Sequence, residues 1–291
     1  MEIDTTALKN RVVVITGAAR GIGHAYTLAF LAAGAKVVAT DRSWDGVDQN
    51  APALKAAGKN LLVADMDLTN EAQIDQAFAA TLERFGTVDA LINNAGLRQR
   101  DLFPPTGRTT TLETKDSDWE KSFAVNVFGT LKVVRRFIKP MIEKKRGSIV
   151  STVSSGIQHH SQGGAYSALR PNSREMPYQS SKAALATMQF YLADEVAEHN
   201  VAVNIIIPGH TRTTGFDDQN RARLALGAKP GPIPLVPEHM VPLTLHLAAQ
   251  DAKSGITGKM FDVLTWNIEH GLGGHETWAD RSFSYEALMP K

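Results

Sequence analysis

Two tyrosines between residues 163 and 185 are each followed, four positions later, by a basic residue. Tyr166 precedes Arg170, and Tyr178 precedes Lys182. Residues four apart share one face of a helix, so such a pair can place a cation beside a phenol. A phenol tuned in this way can take or give the proton of an alcohol. The stretch therefore predicts acid–base chemistry at a hydroxyl or carbonyl group.

The local sequence favours the second pair. Arg170 stands directly before a proline, and the residue before a proline is pushed out of the helical region. Tyr178 instead follows a proline, which suits the first turn of a helix. Beyond it, apolar residues continue at helical spacing to about residue 199. We predict that Tyr178 and Lys182 form the working pair and that Tyr166 lies in a loop.

The chemistry of the two bases also favours Tyr178. A free tyrosine has a pKa near 10, and a base that works near neutral pH needs a pKa roughly three units lower, which is about 4 kcal/mol. One ammonium group about 4 Å away in a half-buried site supplies around that much. We therefore expect Lys182 to lower the pKa of Tyr178.

The composition is that of an ordinary globular chain. Its 291 residues are 43% hydrophobic, and 31 basic against 30 acidic side chains leave a net charge of +1. Without a basic block, neither a nucleic-acid nor a membrane partner is expected. The absence of cysteine excludes disulfides and thiolate chemistry, and none of the nine histidines forms an HExxH metal motif. The polar N-terminus does not resemble a signal peptide, so we expect a soluble, cytoplasmic protein without a metal site.

Short β-branched runs alternate with longer helix-like stretches. Strands are predicted at 11–16, 36–40, 60–66, 88–93, 147–153, 201–207 and 259–265. Helices are predicted at 21–33, 50–58, 70–85, 117–144 and 177–199, the fourth opened by a capping box of Ser117 and Glu120. Apolar strands joined by helices predict a doubly wound α/β fold, a parallel sheet with helices on both faces. We expect one domain over residues 1–269 and a C-terminal tail over 270–291.

The first predicted strand runs into TGAARGIG, residues 16–23. Its glycines allow a tight turn, and they let backbone amides and a helix N-terminus approach a pyrophosphate. The second predicted strand ends at Asp41, where a dinucleotide-binding fold needs an acid for the ribose hydroxyls. Asp41 would repel the 2′-phosphate of NADP by several kcal/mol at about 4 Å, which favours NAD. Arg20 and Arg42 keep NADP open, since either could meet that phosphate, be solvated or pair with Asp41.

The sequence resembles the short-chain dehydrogenase/reductase family over about residues 10–265. The resemblance rests on an ordered set of motifs: TGAARGIG (16–23), NNAG (93–96), FAVNVFG (123–129), GSIVSTVSS (147–155), YQSSK (178–182) and PGHTRT (208–213). It implies a single-domain Rossmann-like fold and hydride transfer between NAD(H) and a secondary alcohol or ketone. It also implies a homotetramer or homodimer built on the helices at 117–144 and 178–198.

The resemblance implies a role for each catalytic residue. Tyr178 exchanges the hydroxyl proton, and Ser154 stabilises the reacting oxygen. Lys182 tunes the tyrosine and anchors the ribose, and Asn126 supports a proton relay. Ser155 is the alternative to Ser154, and Asn126 could instead be a packing residue of its helix. The implied cofactor-binding residues are Gly17, Arg20, Gly21, Ile22, Gly23, Asp41, Asp67, Leu68, Asn93, Ala95, Gly96, Tyr178, Lys182, Pro208, Gly209, Thr211 and Thr213.

Two departures from the family pattern flank the expected substrate site. The chain is longer than usual between Asn94 and Asn126, and longer again between Ser154 and Tyr178. The second insertion leaves Tyr166 twelve positions after Ser154, which is the ordinary family separation. The helix argument nevertheless keeps Tyr178. The family's closing acidic-Gly-Gly turn is also absent after the last predicted strand.

Several further residues are placed near the expected cleft. Arg98 and Arg100 could receive a carboxylate or phosphate there, although exposed surface arginines are the commoner outcome. Residues 211–235 are placed like a substrate lid. Aromatic residues of the tail are expected to pack on the body or on a neighbouring subunit rather than bind a ligand; they are Trp278, Phe283 and Tyr285. Candidate substrate contacts are Ser155, Gln158, His159 and His210. For Gln158 and His159 a solvated loop is at least as good an interpretation, and Ser155 could instead cap a turn.

We predict from these observations an NAD(H)-dependent dehydrogenase of a small-molecule alcohol or ketone. An NADPH-dependent ketone reductase would follow if Arg20 and Arg42 outweigh Asp41. A non-catalytic dinucleotide-binding sensor or scaffold is the alternative from another class, and the intact Asn–Ser–Tyr–Lys set argues against it. The sequence does not predict the substrate, because a fold does not name one.

Overall fold

The computed structural model of the chain describes residues 5–48, 51–103, 109–157, 175–253 and 255–289. Its centre is a seven-stranded parallel sheet in the order β3-β2-β1-β4-β5-β6-β7. The chain order reverses between β1 and β4, which opens a crevice at the carboxyl ends of the strands. The strands are β1 (Val12–Thr16), β2 (Lys36–Asp41), β3 (Leu61–Asp65), β4 (Ala90–Asn93), β5 (Gly147–Thr152), β6 (Val201–Ile207) and β7 (Met260–Asp262).

Helices follow the strands and end where their sequences dictate. Asn70 caps α3 by accepting from the Gln73 amide, and Gly86 ends it in the left-handed conformation. A π-helical turn, Ala124–Gly129, joins α5 to α6. The helices are α1 (Gly21–Ala32), α2 (Pro52–Ala57), α3 (Glu71–Phe85), α4 (Gln99–Leu102), α5 (Asp116–Phe123), α6 (Thr130–Phe137), α7 (Lys139–Glu143), α8 (Tyr178–Val196), α9 (Phe216–Ala225), α10 (Val241–Ala249), α11 (Val263–Glu269) and α12 (His275–Trp278).

Two apolar cores cover the two faces of the sheet. Helices α1, α10 and α11 pack on one face, around fully buried Tyr26 and Phe30. Helices α3, α6 and α8 pack on the other, around Ile74 and Phe137. Every residue of β1, β4, β5 and β6 is buried, as a sheet covered on both faces requires. The predicted single-domain, Rossmann-like doubly wound α/β fold is confirmed.

Two local predictions were wrong. The last strand stops at Asp262 rather than residue 265, because Asp262 accepts from the Thr265 amide at 2.9 Å and caps a helix there. The helix predicted from 117 begins at 116. Its capping box is formed by Lys115 and Asp118 rather than by Ser117 and Glu120, and Asp118 accepts from the Lys115 amide at 2.9 Å. The helices that had not been predicted are α4, α9, α10, α11 and α12. No helix among the described residues is long and apolar enough to cross a membrane.

The end of the chain packs on the segment expected to form a lid. Phe283 lies against Phe216 of α9 with ring centroids 5.6 Å apart, and Tyr285 packs on Phe283 at 4.9 Å. Arg212 pairs with Asp280 at 3.0 Å across the same contact. Phe283 and Tyr285 therefore pack on the body, as predicted, and Tyr285 also lines the cleft that contains Tyr178.

Candidate active site

Two glycines in the turn after β1, Gly17 and Gly23, leave no space for a side chain. Gly17 has a φ of +67°, and a Cβ there would lie 2.9 Å from the Ala95 Cα. A Cβ on Gly23 would lie 1.9 Å from the Gly17 carbonyl oxygen. The turn is therefore tight enough to bring its backbone and the N-terminus of α1 to the cleft, as phosphate binding requires. Gly23 serves this packing and does not itself line the cleft.

Asp41 stands half-buried at the end of β2 and lines the same cleft. Its Oδ2 accepts from the Ala19 amide at 3.0 Å, which ties the carboxylate to the glycine-rich turn. Arg20 is exposed, and its Nη2 donates to the Asp45 carbonyl at 2.9 Å. Among the described residues, no ion pair joins Asp41 to Arg20 or Arg42. The pairing with Asp41 that the sequence left open is thus not formed.

Most of the residues expected at the cofactor line one cleft of about 1340 Å³. Asn93 is an exception: it is buried within β4, and its Nδ2 donates to Ser151 Oγ at 3.0 Å. The expectation for Asn93 was wrong because that side chain is buried against Ser151 of β5. Asn94 lines the cleft instead, and its Nδ2 donates to the carbonyls of Thr16 and Gly17, each at 3.1 Å. The expected residues that do line the cleft are Gly17, Arg20, Gly21, Ile22, Asp41, Asp67, Leu68, Ala95, Gly96, Ser154, Ser155, Tyr178, Lys182, Pro208, Gly209, His210, Thr211 and Thr213.

Lys182 lies one turn after Tyr178 in α8, and both side chains line the cleft. The Lys182 Nζ donates to the Thr152 carbonyl at 2.9 Å and lies 5.9 Å from the centroid of the Tyr178 ring. Burial lowers the pKa of Lys182 to about 8. The lysine is therefore poised to exchange a proton near neutral pH.

Tyr178 does not show the lowered pKa that the sequence predicted. Desolvation in the cleft raises its pKa to about 12, and the charge of Glu175 adds to the rise. A hydrogen bond with Ser154 and the charges of Arg98 and Arg100 act in the opposite direction. The expectation was wrong because the Lys182 ammonium is bonded to the Thr152 carbonyl rather than to the phenol.

Asn126 is fully buried in the π-helical turn and does not line the cleft. Its Oδ1 accepts from the Leu97 amide at 2.7 Å, and its Nδ2 donates to the Leu97 carbonyl at 3.0 Å. A Cβ on Gly96 would lie 3.1 Å from Lys182 Nζ and 3.2 Å from Asn126 Oδ1, so the two side chains meet behind that glycine. Asn126 thus clamps the loop after β4 next to Lys182, and its part in a proton relay stays a prediction.

Two arginines connect the loop after β4 to the lid segment. Arg98 pairs with Asp101 at 2.9 Å and donates to the Thr214 carbonyl at 3.2 Å. Arg100 donates to Thr213 Oγ1, and burial together with the charge of Arg98 lowers its pKa to about 10. Both arginines line the cleft and neither is fully exposed, so the expectation that exposed surface arginines were the commoner outcome was wrong. Their side chains join the loop after β4 to residues 213 and 214.

The remaining sequence candidates are His210 and several residues outside the described parts of the chain. His210 lines the cleft and packs edge-on against Phe216, with ring centroids 5.0 Å apart. Within the described parts of the chain, no group of three or more histidine, aspartate or glutamate side chains could hold a metal ion. The candidates outside the described residues are Gln158, His159, Tyr166 and Arg170.

The polar residues missed by the sequence reasoning are Glu175 and Gln179. Glu175 lines the cleft, and buried Gln179 bonds to it and to Ser154. Glu175 lies in the insertion before Tyr178, where no family motif points to it. Gln179 follows the tyrosine directly, and its position in the first turn of α8 was the one available signal.

The residues of the cleft fit a dinucleotide. The glycine cradle, the N-terminus of α1 and the acid at the end of β2 supply backbone donors for a pyrophosphate and acceptors for a ribose. The cleft of about 1340 Å³ exceeds the ~300–1,000 Å³ that is usual for one small ligand. There is accordingly room for a dinucleotide and a second molecule next to Tyr178.

Comparison with known proteins agrees with this geometry. A family profile described as short chain dehydrogenase matches residues 11–224. The chain is 50% identical over 270 residues to fluoren-9-ol dehydrogenase of Terrabacter sp. (strain DBF63), covering 93% of this chain and 75% of that protein. It is 30% identical over 261 residues to a 3-oxoacyl-[acyl-carrier-protein] reductase of Thermotoga maritima, covering 88% and 97%.

A solved structure shows the same fold. The 3-ketoacyl-(acyl-carrier-protein) reductase of Brucella melitensis, complexed with NADH, superposes with a TM-score of 0.70 at 25% identity, covering 88% of this chain and 97% of that one. Members of the family bind a nicotinamide dinucleotide. The chain therefore belongs to the short-chain dehydrogenase/reductase family and is an oxidoreductase that uses a nicotinamide dinucleotide.

Proposed function

We propose that the protein is an NAD(H)-dependent dehydrogenase that interconverts a secondary alcohol and a ketone. The observation that carries the proposal is the meeting of Ser154, Tyr178 and Lys182 in one cleft with Asp41. The nicotinamide supplies the hydride acceptor or donor when the dinucleotide is bound. The chain's own residues then have to bind the alcohol, hold its oxygen and move its proton.

The proton chemistry is assigned to Tyr178 and its neighbours. In the oxidising direction Tyr178 takes the hydroxyl proton once it is ionised, which its pKa of about 12 favours at alkaline pH, and the Ser154 hydroxyl donates a hydrogen bond to the reacting oxygen. Lys182, with its pKa lowered to about 8, exchanges protons with Tyr178. The buried side chain of Asn126 supports the relay that carries these protons onward. Oxidation and reduction use the same groups in opposite order.

Asp41 supports the choice of NAD over NADP. Its carboxylate is fixed by the Ala19 amide, and a 2′-phosphate at about 4 Å would be repelled by several kcal/mol. Arg20 is bonded to the Asp45 carbonyl, so it would have to leave that bond to compensate. Quenching of tryptophan fluorescence by NADH and NADPH tests this. The proposal expects at least tenfold tighter NADH binding, and tighter NADPH binding would transfer the selection to the arginines.

The substrate is proposed to be a bulky secondary alcohol with an aryl group. This rests on the 50% identity to fluoren-9-ol dehydrogenase and on apolar and aromatic side chains that line the same cleft as Tyr178, which are Leu97, Leu102, Val153, Phe216 and Tyr285. Fluoren-9-ol, propan-2-ol and a 3-hydroxyacyl thioester, each assayed with NAD⁺, distinguish the classes. The proposal expects the highest kcat/KM for fluoren-9-ol, whereas preference for the thioester would place the protein with the acyl reductases.

Assembly and location are also proposed. A homodimer or homotetramer is supported by exposed aromatic residues on the two long helical segments expected at an interface: Phe128 is 55% exposed and Tyr191 70% exposed. Light scattering on the purified protein tests the assembly, and a monomer would exclude it. A cytoplasmic location stays a prediction from the sequence.

A further inference from the structure

A chain of polar side chains reaches Ser154 from the start of α8. Gln179 is 2% exposed, and its Nε2 donates to Ser154 Oγ at 3.0 Å. The same nitrogen donates to a carboxylate oxygen of Glu175. Gly156 makes room for this amide, because a Cβ there would lie 2.3 Å from Gln179 Oε1. The three side chains thus form one connected line that ends at the serine.

The carboxylate fixes the direction of these bonds. An ionised carboxylate only accepts hydrogen bonds, so Glu175 holds the NH₂ end of the Gln179 amide and excludes its oxygen end. The second N–H of that nitrogen is then directed at Ser154 Oγ. A hydroxyl that accepts this bond keeps its own proton for a third group. We propose that Gln179, oriented by Glu175, is a positioning residue that fixes the Ser154 hydroxyl as a donor to the reacting oxygen.

The inference rests on the proposed function, since it needs Ser154 at the reacting oxygen. That oxygen gains negative charge as the alcohol proton leaves, and a donor already aimed at it stabilises the transition state more than the ground state. Without Gln179 the serine hydroxyl is free to rotate and to point its proton elsewhere. The effect should therefore fall on kcat rather than on KM.

Gln179→Leu tests the proposal with fluoren-9-ol and NAD⁺ as the probe reaction. We expect kcat to fall about tenfold, the loss of one well-aimed hydrogen bond, with KM within about twofold of the wild type. The kinetic isotope effect with alcohol deuterated at the carbinol carbon should rise, because the chemical step becomes slower. Gln189→Leu is the matched control: Gln189 is 1% exposed, lies on the same helix and does not line the cleft.

A double-mutant cycle separates positioning from a structural effect. In a Ser154→Ala background, Gln179→Leu should change kcat less than about twofold, because the residue through which it acts is gone. An equal tenfold loss in both backgrounds would overturn the proposal, as would a wild-type kcat in Gln179→Leu. If Gln179→Leu does not fold, Glu175→Gln provides the same test, since an amide no longer forces the orientation of Gln179. Its kcat for reduction of fluoren-9-one by NADH near neutral pH, where Tyr178 is protonated, should fall, and an unchanged kcat would overturn the proposal.

Tyr178→Phe keeps the two proposals distinguishable. A wild-type rate in that variant would refute the proposed function whatever Gln179→Leu shows. Loss of activity in Tyr178→Phe together with full activity in Gln179→Leu and Glu175→Gln would leave the proposed function standing and remove the positioning role.

Discussion

Lys182 lowers the stability of the ligand-free protein, and its replacement should reveal by how much. Burial lowers its pKa from 10.5 to about 8. This shift means that burying the charged ammonium costs about 3 kcal/mol of folding free energy. Lys182→Met removes that cost, and it also removes the hydrogen bond to the Thr152 carbonyl, about 1 kcal/mol. The net expectation is a stabilisation of about 2 kcal/mol at pH 7, while activity is lost.

The pH dependence of this gain has a definite sign. Between the folded pKa of about 8 and the unfolded pKa of 10.5, the folded lysine binds fewer protons than the unfolded one. Wild-type stability therefore rises with pH in that window. The advantage of Lys182→Met should be full below pH 8 and should shrink as the pH approaches 10.5.

Thermal unfolding of both proteins at pH 7 and pH 10 measures the effect. For 291 residues, about 2 kcal/mol corresponds to a rise in Tm of about 3 °C. Lys139→Met, at an exposed lysine, should show no pH-dependent difference from the wild type. The reasoning is refuted if Lys182→Met unfolds below the wild type at pH 7, or if its advantage is the same at both pH values.

Three further predictions concern the cleft. Glu175→Gln should move the acidic limb of the kcat/KM profile for oxidation to lower pH, because the negative charge of Glu175 raises the pKa of Tyr178. Arg100→Leu should move that limb to higher pH, because the positive charge of Arg100 lowers the same pKa. Profiles that coincide with that of the wild type would contradict both expectations. Gly23→Ala should lower Tm and abolish NADH binding, because its Cβ would lie 1.9 Å from the Gly17 carbonyl; unchanged NADH quenching would exclude this. Asp41→Ser should raise NADPH affinity about tenfold or more relative to NADH, measured against Asp45→Asn as a control for net charge.

Features that depend on short stretches of sequence could be predicted. The glycine turn, the acid at the end of β2 and the helix carrying Tyr178 and Lys182 follow from local rules of backbone conformation and side-chain spacing. The choice of Tyr178 over Tyr166 stays a prediction, because residues 158–174 lie outside the described parts of the chain. These positions line one cleft because parallel strands bring their carboxyl ends to the same edge of the sheet.

Features that depend on burial or on distant contacts could not be predicted from the sequence. The NNAG motif does not say which asparagine faces the cleft, and the pleat of β4 gives that place to Asn94. The direction of the pKa shift of Tyr178 depends on desolvation and on Glu175, which an insertion brings to the site. The contact between Gln179 and Ser154 joins residues 25 positions apart across that insertion. The last strand was predicted too long because Asp262 acts as a helix cap.

The central claim is that this cleft oxidises a secondary alcohol with NAD⁺ through Tyr178. Following NADH formation from fluoren-9-ol and NAD⁺, with wild type and Tyr178→Phe side by side, tests it most directly. The account predicts steady NADH production by the wild type and a rate about 10²–10⁴-fold lower in the variant. Equal rates for the two proteins, or no turnover of any secondary alcohol by a wild type that binds NADH, would contradict it.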